Sequence, residues 1–280
     1  MTLNMSGLDL VRTNFSSRDL AGANLAGSDL SYSNLRGANL TDANLMGAEL
    51  CAADLSHANL LRANLKRSSL TGANLSSTGL AYADLTRVNL TNAVLTGANL
   101  SSANLANADL TNVNLTGTNL SSANLANADL TNVNLTGANL SNANLTGVKL
   151  AQAICHNAVF DYANLTDAIL SGHYLSGPYR NVDLEGASLV GANLAGADLS
   201  GAPPTSNVPV LSGANLSRAD LRSANLERAN LRRVDLRCAD LTGANLGDAD
   251  LSGADLTGAK VTGANFTGAK LNGVVGYLPA

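Results

Sequence analysis

Residues 101–120 read SSANLANADLTNVNLTGTNL, and residues 121–140 read SSANLANADLTNVNLTGANL. The two blocks differ only at Thr118 and Ala138. Inside each block leucine returns every fifth residue, as at Leu105, Leu110, Leu115 and Leu120. A small residue stands two places before each leucine, and Asn or Asp stands one place before it. A period of five fits neither the 3.6 of a helix nor the 2 of a strand. So many Asn, Thr and Gly would also strain a helix. The chain must therefore turn regularly, with the leucine and the small residue pointing inward.

The pattern extends outward from these blocks. Between residues 5 and 175, 31 of the 35 positions at this spacing are Leu, the exceptions being Met5, Phe15, Cys155 and Phe160. A second run holds Leu184, Leu189, Leu194 and Leu199, and a third goes from Leu211 to Leu271 with Val261 and Phe266 substituting. Of the 50 leucines, 46 sit at repeat centres. Duplication by twenty residues predicts a structural unit of four pentapeptides, because inserting a whole turn preserves every neighbour in a solenoid.

Composition agrees. Hydrophobic residues make up 45% of the 280, but aromatics only 3%, and Trp is absent. The core must be built without large rings. A net charge of −4 argues against a polybasic nucleic-acid binder. Three cysteines give no disulfide framework. No apolar run reaches the length of a membrane span or, near the N-terminus, of a signal peptide. A soluble cytoplasmic protein with no membrane contact is expected.

The unit Ala-(Asn/Asp)-Leu-x-x resembles the pentapeptide-repeat family, whose consensus is A(D/N)LXX. The resemblance implies an all-β fold, a right-handed quadrilateral β-helix, with one pentapeptide per side and twenty residues per coil. At that pitch the 52 repeat units of residues 1–280 make a single solenoid of about 13 coils, with a coil spacing of ~4.8 Å.

Residues 1–20 carry Leu3, Leu8, Thr13 and Arg18 at the small position and are expected to cap the N-terminal end. Arg18 should reach solvent, since an unpaired buried guanidinium is too costly. Residues 272–280, with Val274, Val275, Tyr277 and Leu278, are expected to form a C-terminal cap or tail. Register breaks fall at 176–183 and 200–210, and four of the five prolines lie in them. Leu199 to Leu211 spans twelve residues, two more than the ten that keep register. Loops or bulges are expected there.

No catalytic constellation is visible. His57, His156 and His173 occupy different repeat positions. Cys51 and Cys238 are expected to be exposed and Cys155 buried. Too few ligands converge for a metal, and no phosphate-cradling motif is present. No cofactor is expected, and the protein reads as a non-enzyme.

Three surface features are candidates for partner binding. The column Asp9, Asp29, Glu49, Ser69, Asn89, Asp109, Asp129, Lys149 places acids on one side. Arg218, Arg222, Arg228, Arg232, Arg233 and Arg237 form a basic belt interspersed with Asp220, Glu227, Asp235 and Asp240. Pro203 and Pro204 mark the second break. Two readings follow. One is a rigid scaffold for protein–protein interaction. The other comes from the resemblance, because quinolone-resistance members of the family modulate or protect DNA gyrase or topoisomerase IV by DNA mimicry. Neither requires direct nucleic-acid binding. Homodimerisation through a solenoid end is a further expectation, since open coils expose strand edges.

Overall fold

The computed structural model describes residues 3–170, Leu199 and 211–276. The chain forms two compact units, Met1–Ala143 and Asn144–Ala280. Repeat positions are numbered here from the central residue, 0, so that each repeat runs from −2 to +2.

In the first unit, position −1 of each repeat pairs in parallel with the residue twenty places later. The chains Asn4–Asn24–Asn44–Asn64 and Asp9–Asp29–Glu49–Ser69 are examples. Twenty-residue pairing with a turn after every centre gives a four-sided coil. The second unit repeats the arrangement at Asn144–Asn164 and over Asn215–Asp235–Asp255. Each side contributes only one bridging residue per coil, so the strands are very short.

The repeat accounts for all of its backbone amides, as Ala43–Gly47 shows. Ala43 N–H donates to Leu40 O at 3.0 Å and closes the corner. Asn44 N–H reaches down to Ala23 O at 2.9 Å; Leu45 and Gly47 N–H reach up to Asn64 O at 2.7 Å and Lys66 O at 2.9 Å. The fifth amide, Met46 N–H, donates to the Asn44 side chain Oδ1 at 3.3 Å. An unpaired amide is costly where water is excluded. A short side chain with an acceptor oxygen at position −1 meets that need, which favours Asn and Asp there, although Gly79 and Val94 stand at the same position without one.

Among the described residues position +2 has positive φ throughout, between 52° and 60° for the non-glycine residues. This is the third residue of the corner turn, where Gly and Asn fit with least strain. Gly7, Gly27 and Gly47 hold it in one column of the first unit.

The centres form the core. Leu25 to Leu150 are fully buried at their repeat spacing, with Ala, Ser, Thr or Val packed at −2. Each buried leucine contributes roughly 1.5–3 kcal/mol. Most buried hydroxyls at −2 bond to the wall, as Ser28 Oγ does to Leu25 O at 2.7 Å and Thr78 Oγ1 to Leu55 O at 2.9 Å; the Ser33 hydroxyl is buried without a partner among the described residues. In the first coil the centres Met5, Leu10 and Phe15 are half-buried, Arg18 is exposed, and Leu3 and Leu8 are about half exposed. At the other end Val275 continues the ladder, its N–H donating to Ala254 O at 2.9 Å. Tyr277 and Leu278 lie outside the described residues, as do 176–183, 200–210, His173, Pro203 and Pro204.

Leu199 N–H donates to Asn225 O at 2.7 Å. Centres elsewhere donate to the residue preceding the centre one coil above, so Leu199 lies under Leu226. Leu226 stands three sides beyond Leu211. Leu199 therefore stands one side before Leu211, whose own N–H donates to Asn230 O at 3.2 Å. Cys51, expected to be exposed, is only partly so. Its Sγ lies 3.3 Å from Ser69 Oγ of the neighbouring coil.

Candidate functional site: the corners of the coil

Positions −2 and 0 are spent on the core, and position −1 on the turn. What differs from coil to coil is the pair of corner residues at +1 and +2. The described arginines all stand at corners except Arg18, as do Tyr32, Tyr82, Tyr162, His57, Met46, Cys51 and Cys238.

The acidic column is continuous in space from Asp9 through Asp129, with Ser69 and Asn89 in its middle. Its aspartates also serve the fold. Asp9, Asp29, Asp109 and Asp129 each accept the backbone N–H of their own +1 residue through Oδ1, at 3.1, 2.9, 3.0 and 3.1 Å. Hydrogen bonds from the Ser31 hydroxyl and amide hold the Asp29 carboxyl below the usual carboxylate range. Sequence arithmetic found the column but not this second role. Lys149, the last member of the sequence column, belongs to the second unit and pairs there with Ile169.

The arginine belt divides into paired and unpaired members. Arg222 grips Asp220 with Nε to Oδ1 at 2.8 Å and Nη2 to Oδ2 at 2.6 Å. Arg237 grips Asp235 in the same way, at 2.9 and 2.6 Å. Each pair joins positions +1 and −1 of one repeat, and the bond from arginine holds each carboxyl below its ordinary range. Arg228 stands between Glu227 at 3.7 Å and Asp248 at 4.0 Å. Arg218 and Arg233 make no ion pair among the described residues. Ser217, Arg218, Arg237, Cys238 and Thr257 line a shallow hollow of about 270 Å³.

One charged cluster escaped the sequence reading. Residues 55–108 carry four cations, Arg62, Lys66, Arg67 and Arg87, against one carboxylate, Asp84. Arg62 is bidentate to Asp42 directly below it, with both contacts at 2.7 Å. Lys66 Nζ lies 3.0 Å from Asp84 Oδ2. Partial burial raises the Asp84 carboxyl, but hydrogen bonds from Thr86 and Lys66 outweigh it and leave the group below the usual range. Arg67 and Arg87 occupy the same +2 column on successive coils and make no ion pair among the described residues. The signal was available in the twenty-residue spacing of the two arginines. It was missed because density along the chain, not position in a column, drew attention to 218–237.

Among the described residues no three of His, Cys, Asp and Glu gather as a metal-holding group. Cys155 is fully enclosed, and burial pushes its thiol up to about 12. No described helix is long and apolar enough to cross a membrane.

The model of pentapeptide repeats in eight copies matches residues 9–47, 43–80, 180–202, 210–237 and 235–273, and that of the pentapeptide repeat region matches 83–160. This chain belongs to the pentapeptide repeat family. The family's right-handed β-helix agrees with the pairing described above. Among solved structures, the chain is similar to HetL, a pentapeptide repeat protein involved in heterocyst differentiation regulation in the cyanobacterium Nostoc. The two are 33% identical over 87% of this chain and 89% of that one, with a TM-score of 0.26. It is also similar to QnrB1, a plasmid-mediated fluoroquinolone resistance protein, at 20% identity over 65% and 88% of the two chains and a TM-score of 0.47. A pentapeptide repeat protein of the Arabidopsis thaliana thylakoid lumen matches 36% of this chain and 67% of its own length, at 34% identity and a TM-score of 0.29. The family membership rests on the repeat models. No functionally curated protein matches the sequence significantly.

Proposed function

We propose that this pentapeptide repeat protein is a non-catalytic scaffold that binds protein partners through its corners, in the cytoplasm. One observation carries the reading. Interior, bridge and turn positions are consumed by the fold, while +1 and +2 vary freely and project arginine, tyrosine, methionine and histidine. A wall held by its own backbone bonds presents such residues at fixed spacing with little ordering cost on binding. The test is affinity capture with the full chain and with variants altered only at +1 and +2. Corner variants that lose specific partners while keeping their melting temperature support the proposal. Failure of the unaltered chain to retain any specific partner overturns it.

A second reading, a DNA-mimicking modulator of a type II topoisomerase, is favoured by Asp9, Asp29 and Glu49 on successive coils. Against it, Ser69 and Asn89 interrupt the column, whereas duplex DNA carries a charge every ≈ 1.7 Å. A supercoiling assay with DNA gyrase, with and without a quinolone, decides. The absence of both inhibition and protection would remove this second reading.

A further inference from the structure

The basic corner of the first unit combines three observations. Arg67 and Arg87 are stacked one coil apart, ~4.8 Å between backbones, and like charges at that distance repel. Both stand in left-handed backbone, φ 57° and 58°, where the three lower coils of the same column have glycine. Neither is neutralised by a carboxylate among the described residues, whereas neighbouring Arg62 and Lys66 are. The fold gains nothing from this placement, since glycine or asparagine would satisfy the corner with less strain. The two guanidiniums border a groove of about 370 Å³, lined also by Met46, Lys66, Thr86 and Asn107. Met46 is 46% exposed there.

We infer that this corner docks an acidic segment of a partner protein, with Arg67 and Arg87 receiving two of its carboxylates and Met46 receiving an apolar side chain. The inference rests on the scaffold reading and assigns it a surface and a partner chemistry. Guanidinium forks suit carboxylates, which they can bind through two parallel hydrogen bonds. Two unpaired guanidiniums beside one exposed methionine suit a short acidic peptide with an apolar side chain, whereas a nucleic acid draws on a longer run of cations along its phosphates.

The test uses the full chain and a fluorescein-labelled octapeptide of six glutamates and two central leucines, followed by anisotropy. The double variant Arg67→Gly, Arg87→Gly should weaken binding at least tenfold and melt no lower than the unaltered protein. The control Arg232→Ser, Arg233→Gly, in the second unit, should bind within twofold of the unaltered protein. Equal binding by the 67/87 variant, an equal loss in the control, or tighter binding of an eight-nucleotide RNA than of the peptide overturns the inference. Capture from lysate separates it from the reading beneath it. If the unaltered chain and the 67/87 variant retain the same partners, the corner is wrong and the scaffold stands. If neither retains any, both fall.

Discussion

Arg237 folds back onto Asp235, two residues earlier in the same repeat, and holds both carboxylate oxygens at 2.9 and 2.6 Å. The Arg237 amide also donates to Asp235 Oδ1, at 3.0 Å, so one aspartate caps the turn and fixes the arginine above it. Arg222 and Asp220 do the same.

These pairs give acid sensitivity a definite sign. Both carboxyls titrate below their ordinary value of 3.8, chiefly through the bond from arginine. Their stabilising contribution is complete above that value and is lost as pH falls through the lower folded value. The melting temperature should be flat from neutral pH to about 5 and decline below 4. Because the pairs are largely solvated, each contributes only a small part of the stability. Asp220→Asn with Asp235→Asn keeps the turn acceptors and should shrink the decline. Thermal melts between pH 2.5 and 7 check this, and an unchanged decline in the double variant contradicts it.

Asn104 sits at a three-way junction. Its Oδ1 accepts Ala106 N–H at 3.2 Å and Asn124 Nδ2 at 3.0 Å, while its Nδ2 donates to Thr86 Oγ1 at 2.9 Å. Asn104→Ala should cost about 1–3 kcal/mol by removing the acceptor from a half-buried amide. Asn104→Asp should cost less, because Oδ1 remains. Chemical denaturation of the two variants gives the comparison, and equal losses would contradict the capping role.

Val94 occupies the bridge position between Asn74 and Asn114 but offers no acceptor, and it is 38% exposed. The Thr96 amide therefore lacks the bond its counterparts make, such as Thr116 N–H to Asn114 Oδ1 at 3.0 Å. Val94→Asn should stabilise the protein by about 0.5–1.5 kcal/mol, the net worth of one hydrogen bond. A lower denaturation midpoint would refute it.

The three cysteines should react in order of access. Cys238 is exposed, Cys51 partly so, and Cys155 is buried, with its thiol pushed up to about 12. Maleimide labelling at pH 7.5 should modify Cys238 first and Cys51 more slowly, reaching Cys155 only after denaturant is added. Mass spectrometry of the labelled peptides reads the order. Early labelling of Cys155 would contradict its enclosure.

The core was legible because its demand is local and repeated. Leu25 and Ala23 face inward for the same reason as Leu105 and Ala103, and one repeat explains the next. Asn24 recurs twenty residues after Asn4, and its Nδ2 donates to Asn4 Oδ1 at 3.0 Å. The charged surface was less legible. Asp220 and Arg222 neutralise each other across two residues, whereas Arg62 finds Asp42 twenty residues away. Runs of arginine along the chain thus overstate the free charge at 222 and 237, and they hide it at 67 and 87.

Pairing at an interval of twenty makes this architecture respond to insertions in quarter turns. A gain of five residues within a coil leaves every pentapeptide whole and every centre apolar. It also carries all later corners in that unit onto the next side. A single in-frame duplication can therefore re-aim an entire set of outward residues without creating one new side chain, and a second, third and fourth would bring them back to where they began.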